Sequence, residues 1–86
     1  MKISLPKTIR LVERKLGREK AMGQATYGKI PLIELDSRLK SKDRLGTLIH
    51  ELLHIVFESL TEQQTIQVEQ RIASVLWHDG WRRIHK

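Results

Sequence analysis

Apolar residues along the first half of the chain recur at the short, alternating spacing of strands, and along the second half at the three- and four-residue spacing of helices. Residues 7–15 (KTIRLVERK) are rich in Thr, Ile and Val and partly alternate, which predicts a first strand. Gly17 and Gly23 bracket a polar connection, and residues 24–27 then predict a short second strand ahead of the Gly28-Lys29 turn signal, so that a hairpin follows. Residues 30–36 (IPLIELD) are apolar and β-branched, but Pro31 has no backbone donor. This third strand is therefore expected at a sheet edge or beginning with the proline. Together these segments predict a three-stranded, mainly antiparallel sheet.

From Ser41 or Asp43, either of which can cap a helix, Leu45, Leu48, Ile49, Leu52, Leu53, Val56 and Leu60 recur at helical spacing. The predicted helix is apolar nearly all round, so the sheet and another helix must cover it from different sides. Thr61 followed three residues later by Gln64 is a capping-box pattern, opening a second helix to about Trp77 that Asp79-Gly80 ends. The fold class is thus α+β, a small sheet followed by two helices, in one domain spanning residues 1–86.

Composition narrows the supports available to so small a core. At 86 residues a domain buries too little apolar surface to be strongly stable, and many such domains rely on a disulfide, a metal or a partner. There is no cysteine, which leaves His and carboxylate metal ligands or oligomerisation. Lys2, Lys7 and Arg10 interrupt Ile3, Leu5 and Ile9, which argues against a secretory leader. The longest apolar run, residues 52–57, falls far below the ~20 residues a bilayer requires. A cytoplasmic protein without membrane association is expected. The net charge of +6 comes from 16 basic and 10 acidic residues scattered in small clusters with little aromatic interleaving. That scatter reads first as a solvated surface, with weak nucleic-acid association as the alternative.

His50-Glu51-Leu52-Leu53-His54 is an H-E-x-x-H motif inside the first predicted helix. Four-residue spacing sends both imidazoles from one face, where two ring nitrogens can reach one zinc ion at ~2.0–2.1 Å. Glu51 is then placed to act as general base on an activated water. The competing explanation is a helix that contains two packed histidines, but an unpaired imidazole in so apolar a segment costs free energy. A catalytic zinc takes three protein ligands, and Glu69 is the best candidate for the third, because it falls near the middle of the apolar stripe formed by Ile66, Ile72, Ala73 and Leu76. Its competitors are Glu58, Glu62, His78, Asp79 and His85, with His78 the second choice. Glu62 sits at a helix start, where a capping role suffices. Residues 24–27 or 30–36 could offer an edge for an extended peptide. Tyr27 could stabilise an oxyanion, although packing against the sheet is the simpler role.

TLIHELLH and the later VEQRIASVL resemble small zinc metallopeptidases of the gluzincin type, particularly phage and bacterial minimal forms, and the ImmA/IrrE-like and SprT-like groups. The resemblance covers residues 23–76. It implies a short sheet before the H-E-x-x-H helix, His50 and His54 as zinc ligands, Glu51 as catalytic base, Glu69 as the glutamate ligand, and a protein or peptide substrate. Glu69 follows His54 by 15 residues, a shorter spacing than in larger gluzincins. Phe57 and Leu60 stand where the metzincin extension requires glycine and histidine. Two alternatives remain: a basic nucleic-acid-associated module with a structural or SprT-like zinc site, and a helical interaction protein without metal.

Overall fold

The computed structural model describes residues 2–17 and 22–84. Strands β1 (Arg10–Arg14), β2 (Gly23–Thr26) and β3 (Leu32–Asp36) precede helices α1 (Ser41–Val56) and α2 (Glu62–His78), giving the expected α+β arrangement. The strands form one sheet in the order β1-β3-β2. β2 and β3 pair as the antiparallel hairpin predicted around Gly28-Lys29, with Gly23 opposite Leu35 and Thr26 opposite Leu32.

β1 departs from expectation. It runs parallel to β3, with Arg10 opposite Leu32 and Arg14 opposite Asp36, so the sheet is mixed rather than mainly antiparallel. β3 is also the central strand, not an edge. Pro31 does not prevent this, because it stands one residue before the strand, where the donor it lacks has no ladder partner to serve. Its carbonyl still accepts the Arg10 amide at 2.9 Å. At the centre, its Ile33 and Leu35 are the strand residues most completely withdrawn from water, at 1% and 0% exposure. On the opposite face Glu34 ties both neighbours together, accepting from Arg14 of β1 and, at 2.8 Å, from Gln24 of β2.

α1 lies between the sheet and α2, as an all-round apolar helix requires. Toward the sheet, Ile55 packs with Ile33 and Leu35, joined by Leu48 and Leu52. Toward α2, Ile49 and Leu53 pack with Ala73, joined by Leu45, Val68 and Leu76. Neither Ser41 nor Asp43 caps α1. Lys40 occupies that position in an extended conformation without a side-chain cap, and Ser41 opens the helix with φ 54. The capping box of α2 does form. Thr61 Oγ1 accepts the Gln64 amide at 3.1 Å, and Gln64 Oε1 accepts the Thr61 amide at 3.0 Å. α2 ends at His78, with Asp79 at the C-cap and Gly80 at φ 92, a conformation open to glycine.

The turn after β3 is organised by Asp36, which is buried and accepts the backbone amides of Leu16 and Arg38 together with the Arg38 guanidinium. Those donors, the Arg38 side chain foremost, hold its carboxyl far below the usual carboxylate range. Among the described residues, no helix is long and apolar enough to cross a membrane.

Candidate metal centre

His50 and His54 stand one turn apart on α1 and face the start of α2. Their Nε2 atoms are 3.1 Å apart, and the rings meet edge to face. After α1 ends, the chain reverses through residues 57–61, and Thr61 and Gln64 fix the first turn of α2 beside the histidine pair. Glu62, within that turn, reaches back over both rings. One of its oxygens lies 2.8 Å from His50 Nε2 and the other 3.2 Å from His54 Nε2.

The ligand atoms of His50, His54 and Glu62 all fall within 4.8 Å of one another. With both Nε2 lone pairs turned to the Glu62 carboxylate the three groups repel one another, and either a ring proton or a cation among them removes that repulsion. A tetrahedral ion with bonds of ~2.0–2.1 Å has ligand-to-ligand edges of ~3.3 Å, close to the separations seen. The three residues therefore could hold a metal ion.

Glu69 also reaches His50, but on the other ring nitrogen, with Oε1 at 3.2 Å from Nδ1. A carboxylate only accepts, so the Nδ1 facing it carries a proton, and in the neutral ring that leaves Nε2 with its lone pair. Carboxylates on the far nitrogen of a metal-binding imidazole fix its tautomer and orientation. Glu69 approaches this closely because Gly46 has no side chain; a Cβ there would stand 3.1 Å from Glu69 Oε2.

The two carboxylates thus occupy different positions from those the sequence suggested. Glu62 stands with the two Nε2 atoms, while Glu69, the expected third ligand, stands behind His50. Two features explain this. The capping box is complete with Thr61 and Gln64, so Glu62 is free to turn sideways. The inward stripe of α2 is also rotated, with Thr65 and Ala73 buried while Ile66 and Ile72 are each 39% exposed. His78 and Asp79, at the opposite end of α2, lie ~24 Å along the helix from Glu62, and Glu58 is exposed. His85 lies outside the described residues.

Glu51 projects toward the sheet and is 7% exposed. Burial pushes its carboxyl above the ordinary range and Glu62 adds to this, while His50 and His54 pull the other way. The space for it is made by Gly23 of β2. A Cβ on Gly23 would fall 3.2 Å from Glu51 Cγ and 2.8 Å from Thr47 Cγ2, the second of these too close for real atoms. Tyr27, just beyond β2, donates its hydroxyl to the His54 carbonyl at 3.0 Å. Partial burial, with Glu58 and Glu51 nearby, raises its pKa and keeps the phenol protonated.

Comparison with protein-family models, with curated proteins and with solved structures returned no match.

Proposed function

We propose that the chain is a zinc-dependent metallopeptidase. The observation that carries this reading is the convergence of His50 Nε2, His54 Nε2 and the Glu62 carboxylate beside a buried Glu51, one residue along the same helix. Bound there, zinc supplies a Lewis acid that polarises a carbonyl and acidifies water. Everything else falls to the protein. Glu51 accepts the proton of the attacking water and returns it to the leaving amine, a role favoured by the raised proton affinity that burial gives it. Glu69, by accepting from Nδ1, holds His50 with Nε2 turned to the ion.

Substrate binding is assigned to β2. It is an edge strand, and its Gly23 lies against the base of Glu51, so an extended peptide added along that edge would pass the proton acceptor. The proposed ligand set is His50, His54 and Glu62. For Glu69 to serve instead, its carboxylate would have to leave Nδ1 and reach the Nε2 side.

The test is metal content and turnover measured on one preparation. Protein refolded with zinc should carry one ion per chain and cleave unfolded casein. A chelator should stop cleavage and lower the unfolding temperature, and added zinc should restore both. Zinc-free protein with unchanged stability in chelator would remove the metal reading, while zinc-loaded protein inert toward any unfolded polypeptide would remove the peptidase reading alone.

A further inference from the structure

A cavity of about 760 Å³ opens where the start of α1 meets the end of α2, lined in part by Lys40, Arg44, Trp77, Trp81, Arg82 and Arg83. It lies toward the start of α1 from the histidines: of its α1 lining residues Ser41 stands nine residues before His50, and Leu45, the nearest, five residues or ~7.5 Å along the helix. The chain contains four Phe, Tyr and Trp residues in all, and both tryptophans are here.

The turn at Gly80 creates this arrangement by folding the following residues back along α2. The Trp81 amide donates to the Leu76 carbonyl at 3.0 Å, and the Trp81 side chain remains 61% exposed. Arg82 lies 3.4 Å from the centre of the Trp77 ring and is held there by the carbonyls of Trp77 and Trp81. Arg44 and Arg83 share a single carboxylate, Glu13, at 3.3 Å for the first and 3.0 and 2.5 Å for the second. Among the described residues, no acidic one lines the cavity itself. Four cations therefore face a space in which one neighbouring carboxylate serves two of them, beside an indole left largely exposed.

Cations alone would suit any polyanion, and an exposed indole alone any apolar ligand. Their combination in a concave space of small-molecule size selects a ligand carrying both an anion and a planar ring. We infer that this cavity binds an unpaired nucleotide, free or within a single strand, with its base stacked on Trp81 and its phosphate among Lys40, Arg44 and Arg82. Duplex DNA is excluded from the same contacts because its bases are already stacked on one another. Along the sequence the basic clusters look scattered, since residues 40–44 and 77–83 are far apart. The antiparallel packing of α1 and α2 brings them to one place.

Because the only two tryptophans line the cavity, intrinsic fluorescence reports on it directly. Titration of the whole protein with a short single-stranded oligothymidylate should quench that emission saturably and more weakly at high salt. Trp81→Ala should weaken binding about tenfold. Lys40→Gln should flatten the salt dependence. The duplex of the same length should bind less well than the single strand. Glu51→Gln should bind as wild type does, which separates this site from the metal centre. Saturable quenching by adenosine monophosphate would identify a free nucleotide as sufficient; quenching by the oligonucleotide alone would identify the strand. The inference fails if heparin binds as tightly as the single strand and Trp81→Ala changes neither. It also fails if only phosphatidylglycerol vesicles shift the emission, or if nothing does at low salt.

Discussion

The two sides of α1 place their functional groups in unlike surroundings. Toward the sheet, Glu51 is enclosed by tightly fitted neighbours, with Gly23, Thr47 and Leu35 leaving no room for one added methyl group. Toward α2, the side chains of His50 and His54 are 16% and 25% exposed and that of Glu62 is 62% exposed, and polar contacts rather than packing hold them together. The residue proposed to move protons is thus fixed by shape. The residues that could hold an ion are fixed by one another. A helix wedged between two layers supplies both environments one residue apart.

The sharpest separation of the two sides comes from Glu51→Gln. It should lower casein cleavage about 10²–10⁴-fold while zinc content by elemental analysis stays at one per chain. His54→Ala should do the reverse to the metal. Zinc binding should be lost, and with it the zinc-dependent rise in unfolding free energy, about 4 kcal/mol when free zinc exceeds Kd a thousandfold. Breaking the packed side without touching a polar atom is the role of Gly23→Ala, expected to cost about 1–3 kcal/mol in urea unfolding because Thr47 and Glu51 must give way.

On the open side, Glu62→Gln and Glu69→Gln should both weaken zinc, the second by about 10–100-fold and the first by more. The opposite ranking in a competition titration would transfer the third ligand position to Glu69. The smallest effect concerns neither side. The Asp36 carboxyl is held below its unfolded value, so it contributes stability above about pH 4 that is lost as pH falls further. In urea midpoints from pH 6 to pH 2, the gap between wild type and Asp36→Asn should hold down to about pH 4 and narrow progressively below it.

What could be read from the sequence was whatever short-range geometry dictates. Thr61 and Gln64 are three residues apart, and their reciprocal bonds follow from helix geometry alone. The same holds for Asp79-Gly80 as a stop and for His50 and His54 sharing a face. What escaped depends on distant partners. Pro31 suggested an edge, but β3 is central because β1 and β2 pair on either side of it, and nothing within residues 30–36 encodes that. The positions of Glu62 and Glu69 relative to the histidines depend on how α2 is rotated about its axis. A stripe of Ile66, Ile72, Ala73 and Leu76 sets that rotation only to within a few tens of degrees, enough to move a carboxylate from one ring nitrogen to the other. The signal that would have favoured Glu62 was already visible, since Gln64 completes the cap without it. Trp77 and the pair Trp81-Arg82 were legible as residues but not as a cavity, because Lys40 and Arg44 approach them only in three dimensions.

The strand order β1-β3-β2 also separates a local pairing from a distant one. The β2–β3 hairpin closes over a five-residue connection, an event of microseconds, whereas β1 can find its parallel partner only after β3 exists and a longer loop has closed. Every residue of the candidate metal cluster, together with Glu51 and Gly23, lies after residue 22, outside β1. The residues of the site therefore lie in the part of the chain that does not include β1, which flanks the sheet on the side of β3 away from β2.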